Sequence, residues 1–248
     1  MNTKKATLYL TGVCAAVAAI CGAAMAQDAQ TPAIASKLDV AYVGRYIWRG
    51  IPQTSKAALQ PSLTVSHKSG LSFNFWASQD VDVQKVTEND YTFNYAWTAK
   101  GLGMNAGYIY YAFPNTSYLS TSEVYASVAF PVFLTPTLSI NYDIDEADGF
   151  YASLGAGYGF ALGGKSAPTL SVSGKVSFSS GSYNDFWFGE DKSALSDLYL
   201  SASLPIILSE KTTLTPAISY SSILDSELSE KVADPDNLVG SLTLSCAF

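Results

Sequence analysis

Charge is scarce in this sequence, and where it occurs it is spaced. Asp39, Arg45 and Arg49 share one parity, opposite to Leu38, Val40, Tyr42 and Tyr46. Alternate residues of an extended chain point to opposite faces, so this spacing sets charges of both signs on one face. The same polar parity holds Asn74, Trp76, Asn94, Glu123, Tyr125, Asp143, Tyr151, Lys175, Asp197 and Tyr199. Confined together, such side chains either pair with one another or line a passage that selects by charge.

Other patterns promise less. Gly159–Ser166 (GFALGGKS) fits the phosphate-cradling G-x-x-x-x-G-K-[ST] pattern letter for letter. That chemistry needs a helix N-terminus after the loop, whereas Pro168 and the alternating Leu170–Phe178 segment follow here. His67 is the only histidine, at a predicted short turn, so acid-base catalysis has little to draw on, and no enzymatic activity or cofactor is expected. Asp143, Asp145, Asp148 and Gly149 resemble a calcium loop interrupted by Ala147. Asp225, Glu227, Glu230, Asp234 and Asp236 form a second acidic stretch. Both read first as solvated loops, and no metal site is expected.

The elements that position these residues are strands. Period-two alternation runs from residue 37 to the end, best seen at Leu238/Gly240/Leu242/Leu244/Cys246/Phe248 against Val239/Ser241/Thr243/Ser245/Ala247. Twelve segments follow: 37–48, 58–67, 71–80, 89–99, 102–112, 121–130, 136–145, 149–162, 168–179, 195–205, 212–221 and 237–248. Most have the length with which a tilted strand crosses a bilayer. Connections after the even segments are short; those at 49–57, 81–88, 113–120, 180–194 and 222–236 are longer and more polar. An even strand number with short turns on one side and long loops on the other is the pattern of a transmembrane barrel. A soluble sandwich also alternates, but its polar face carries Lys, Glu and Arg, whereas here Ser, Thr, Asn, Gly and Tyr prevail.

Composition agrees. Of 248 residues only 14% are charged while 13% are aromatic, and the mean hydropathy is +0.14. Disorder needs more charge and fewer aromatics. A net charge of −7 gives no basic footprint for nucleic acid. Lys4 and Lys5, an apolar stretch and Ala24-Met25-Ala26 spell a signal peptide cleaved after residue 26. Its loss takes Cys14 and Cys21, leaving Cys246 with no disulfide partner. Residues 27–36 then form a short N-terminal segment and 37–248 the barrel. Phe248 closes the last alternating strand, which resembles the signal read by the bacterial barrel-assembly machinery.

Residues 42–78 (YVGRYIWRGIPQTSKAALQPSLTVSHKSGLSFNFWAS) carry Trp48-Arg49-Gly50, Ala58-Leu59-Gln60, Ser69-Gly70 and Trp76. In these the chain resembles the opening of the Gcw_chp family, outer-membrane proteins of uncharacterised function. It departs where Val43-Gly44-Arg45 stands in place of the family's frequent Ser-Asp-Tyr before the arginine. The resemblance implies an exported barrel and brings no substrate or reaction.

The expectation is therefore an all-β, twelve-stranded antiparallel barrel in the bacterial outer membrane, surrounded by lipid. It is expected to act as a narrow passive channel for small polar solutes or ions. The alternative is a closed structural or adhesive barrel working through its outer loops, with Tyr183, Phe186, Trp187, Phe188, Glu190 and Asp191 as the contact surface.

Overall fold

A computed structural model describes residues 33–163 and 168–248. The expected signal peptide lies outside the described residues, as does the Gly164–Ser166 half of the phosphate-loop match. In chain order the elements are β1 (Ile34–Val43), β2 (Ile47–Trp48), β3 (Ile51–Pro52), β4 (Ala58–His67), β5 (Leu71–Asp80), β6 (Lys85–Ala99), β7 (Leu102–Ala112) and β8 (Thr121–Ala129). There follow β9 (Thr137–Asp143), β10 (Phe150–Ala161), β11 (Thr169–Ser179), α1 (Gly181–Phe188), β12 (Ala194–Ser203), β13 (Ile206–Ser209), β14 (Thr212–Ile223), α2 (Ser226–Ser229) and β15 (Asp236–Ala247).

Twelve of these strands form one closed antiparallel sheet in which each pairs with its neighbour along the chain. The β1–β15 ladder, from Lys37↔Ala247 to Val43↔Ser241, joins the first strand to the last. The β12–β14 ladder, Asp197↔Ile223 to Ser203↔Ala217, completes the ring past the short β13 flap. Closure leaves no sheet edge, and that is the condition for placing strands in hydrocarbon, where no water satisfies the backbone. The remaining strands, β2 and β3, make a small separate hairpin.

The burial pattern is inside out relative to a soluble protein. Leu38, Tyr42, Leu63, Phe93, Tyr95, Leu138, Ile140, Leu154, Tyr158, Val172, Leu200 and Ile218 are exposed. Asp39, Gln60, Ser78, Glu88, Glu123, Asp143, Ser177 and Asp197 are buried. A single sheet can bury only the face it curls around, so the polar parity lies inside and the apolar parity faces lipid. Gly107 shows the economy of that inner face: a Cβ there would collide with the Tyr125 phenol opposite, which lies across the wall to reach Asn94.

Two expected boundaries are corrected. The first strand, expected over 37–48, ends at Val43; after it the chain leaves the wall at Gly44 and folds inward as the β2–β3 hairpin. Parity therefore does not position Arg45 and Arg49. The second half of the loop expected over 81–88 is strand, because β6 begins at Lys85 and carries the Thr92/Asn94 parity back through Asp90 and Glu88.

Candidate functional site: a hairpin inside the barrel

The loop 44–57 crosses the end of the barrel opposite the chain termini. Arg45 fixes its root: Nε donates to the Thr54 carbonyl at 2.9 Å, while Nη1 meets Asn237 Oδ1 at 3.1 Å and Asp234 at 2.8 Å. The Tyr46 ring lies 5.4 Å from that of Trp76 on β5. From there the hairpin reaches the far wall, where Gly50 rests against Asp197 of β12 and Ile223 of β14. Gly50 has φ +83°, and a Cβ would fall on Ile223 Cδ1, so only glycine suits the turn.

Arg49 occupies the tip. Its Nη1 and Nη2 donate to Glu123 Oε1 and Oε2 at 2.8 and 2.7 Å, the two-pronged geometry that makes guanidinium–carboxylate pairs strong. Nη1 also donates to the Tyr183 hydroxyl at 2.9 Å. The guanidinium carbon lies 4.3 Å from the ring centre of Tyr151, 4.5 Å from that of Trp48 and 5.6 Å from that of Tyr183. Glu123 is 1% exposed and takes further hydrogen bonds from the Tyr111 hydroxyl at 3.0 Å and Asn141 Nδ2 at 2.9 Å. Beside it, the Tyr151 hydroxyl donates to Asp197 Oδ1 at 2.7 Å and accepts from Lys175 Nζ at 3.0 Å. Tyr199 stands opposite Lys175 in the β11–β12 register.

Arg49, Glu123, Tyr151, Lys175 and Asp197 thus meet in one network. Asp143, Asn74, Asn94 and Asp39 make hydrogen bonds with other partners. Asp143 accepts from Thr121 Oγ1 and from the backbone N–H groups of Asp145 and Ala147, so it organises the 144–149 turn. Asn74 Nδ2 bonds Ser62 Oγ at 2.7 Å and Thr64 Oγ1 at 2.9 Å, and Asn94 accepts from Tyr125 at 2.7 Å. Asp39 pairs with Lys37 at 2.9 Å and accepts from Ser245. These last groups sit nearer the terminus end, where the inner face is mainly hydroxyl and amide, as in the Ser139–Ser153 and Ser173–Ser201 pairs at 2.8 Å each.

Sequence reasoning missed Tyr111, Asn141, Trp48 and Tyr183. Parity was enough to find the first two, which lie on β7 and β9; nothing in the sequence aims Trp48 or Tyr183, which arrive from the hairpin and from α1 rather than from the wall. The expected adhesive surface over 180–194 is corrected in part. Tyr183, Asn184 and Phe188 of α1 are buried, and Trp187 packs on Trp48 at 4.6 Å, because the helix turns its aromatic side onto the hairpin. His67 sits at the terminus end with Nδ1 2.8 Å from Ser69 Oγ.

Outside this core the long loops are tied together. Lys192 bridges Asp225 at 2.9 Å and Glu227 at 2.7 Å, and Lys231 meets Glu190 at 3.0 Å. The hydrogen bond from Lys192 holds the Asp225 carboxyl below its usual range, and donation to Glu227 and Asp225 raises the Lys192 ammonium. Asp225 also caps α2 through the Glu227 and Leu228 N–H groups.

The barrel is similar in fold to the KdgM porin, at 8% identity and a TM-score of 0.55 over 86% of this chain and 99% of that one. A structure of KdgM porin in complex with disordered oligogalacturonate gives 9% and 0.54 over 86% and 99%. NanC porin gives 14% and 0.49 over 85% and 98%. No curated protein matches the sequence. The Gcw_chp family, described as a bacterial protein of unknown function, matches residues 26–225, and the chain belongs to that family.

Proposed function

We propose that the protein is exported by its signal peptide to the outer membrane and there acts as a narrow passive channel for small polar solutes or ions. The observation that carries this is the contrast along the barrel axis. The inner wall of the terminus half is lined with hydroxyls and amides, while the outer half is crossed by a short hairpin whose tip is held to the wall through the Arg49 side chain. A wall of that chemistry suits water and polar solutes, and a barrel built only to anchor loops has no need of it. Asp39, Asn74, Asn94, Tyr125, Lys175 and Tyr199 line the passage; Arg49, Glu123, Tyr151 and Asp197 hold its constriction. Assembly engages the strand that ends in Phe248.

Single-channel recording of the folded, mature protein tests the reading. Discrete conductance steps are expected, with longer open times once residues 47–52 are removed. If the hairpin-deleted barrel, shown to be folded and inserted, passes no current, the channel reading fails and function moves to the cross-tied outer loops.

A further inference from the structure

Resting on the channel reading, we propose that Arg49 is a tethered occupant of a site built for a small organic cation, and that the solute handled carries a guanidinium or primary ammonium group. The cradle exists without the hairpin. Glu123 is oriented by Tyr111 and Asn141, both on the wall, and the Tyr151 ring offers its face from β10. Tyr183 closes the far side from α1. The hairpin brings only Trp48 and the cation itself. A carboxylate fork between aromatic faces is the arrangement that selects a planar, weakly hydrated cation.

The surrounding charge agrees. Glu88, Glu123 and Asp197 are 5%, 1% and 1% exposed, and Asp90 lies beside Glu88 on β6, opposite Tyr111; the cations of this network, among the described residues, are Arg49 and Lys175. Two acceptors in it also lack donors: Asp90 Oδ1 and Asp197 Oδ2 are buried with no hydrogen-bond partner in the described structure. Unmet buried acceptors are costly, and an incoming solute rich in N–H groups satisfies them where an anion adds repulsion.

Methylguanidinium chloride is the probe, read through the fluorescence of the neighbouring Trp48 and Trp187. In Arg49→Ala it is expected to bind saturably, whereas sodium methylsulfonate does not. Adding Glu123→Gln weakens binding at least about tenfold, as loss of charge-assisted hydrogen bonds requires. Arg49→Gly is the second variant, since residue 49 has φ 48° and glycine keeps that turn unstrained. In planar bilayers, methylguanidinium on the outer side of wild-type protein is expected to raise the current saturably. Absence of binding in both variants, an affinity indifferent to Glu123, or a wild-type current that the probe never raises makes Arg49 a structural ion pair and overturns the proposal. Each of those outcomes is separable from failure of the channel reading, which rests on the conductance of the hairpin-deleted barrel alone.

Discussion

The two ends of the barrel interior are built from the same alternating strands but solve different problems. Toward the termini, polar side chains pair with near neighbours on adjacent strands: Asn74 with Ser62 and Thr64, Ser173 with Ser201. These contacts join neighbouring strands of the wall and are replaceable by water. Toward the long loops, Arg49 and Glu123 are 74 residues apart, bonded twice and roofed by Tyr151 and Trp48. Here burial makes each group depend on its partner, because an unpaired charge removed from water is costly. The terminus half therefore tolerates change one residue at a time, while the outer half is held or lost as a unit.

The sharpest way to break this contrast is Glu123→Ala. Losing one member of a buried pair costs about 3–5 kcal/mol, and the hairpin escapes that cost by leaving the barrel. Trypsin should then cleave after Arg49 in a still-folded barrel, giving a defined internal nick absent from wild type. A hairpin that stays protected would mean the aromatic contacts alone hold it. Gly50→Ala is expected to act next most strongly. A side chain at positive φ that also collides with Ile223 costs about 1–3 kcal/mol, so partial cleavage and longer open times should appear together.

Acidification probes the outer ties. The Asp225 carboxyl is held below its usual range by Lys192, so its contribution is complete above the unfolded pKa and is lost as pH falls through the lower folded value. The Lys192 ammonium is raised, so its contribution is complete below its ordinary pKa and is lost only as pH rises through the higher folded value. The tie is intact at neutral pH and releases below about pH 4. Protease access to the 224–235 loop should rise there while strand circular dichroism stays constant, and Lys192→Ala should remove that step. The smallest effect is expected from Ser173→Ala. Loss of one neutral hydroxyl pair costs about 1 kcal/mol or less, and neither hairpin protection nor ion selectivity should move. A large change in selectivity there would place the constriction in the terminus half and invert the comparison.

Most of the wall was legible before any coordinate. The segments 58–67, 71–80 and 102–112 coincide with β4, β5 and β7, because strand ends are marked locally by turn residues and the two faces by alternation. The interior was less legible. Glu88 continues a parity already visible at Asp90, Thr92 and Asn94, but it fell within the expected loop 81–88.

Alternation is a property of single residues and their nearest neighbours, so the sequence by itself determined strand number and which side chains turn from lipid, while register came with the closed ring. The fate of Arg45 and Arg49 rests on contacts made after the wall has closed. Past Val43 no ladder continues to impose parity, and the direction of the loop is set by Trp76, Glu123, Asp197 and Tyr183, residues 27 to 148 positions from Arg49 that only the closed ring brings together. Tertiary structure alone decided that Arg49 and Glu123, 74 positions apart, pair inside the barrel and hold the hairpin across its outer end.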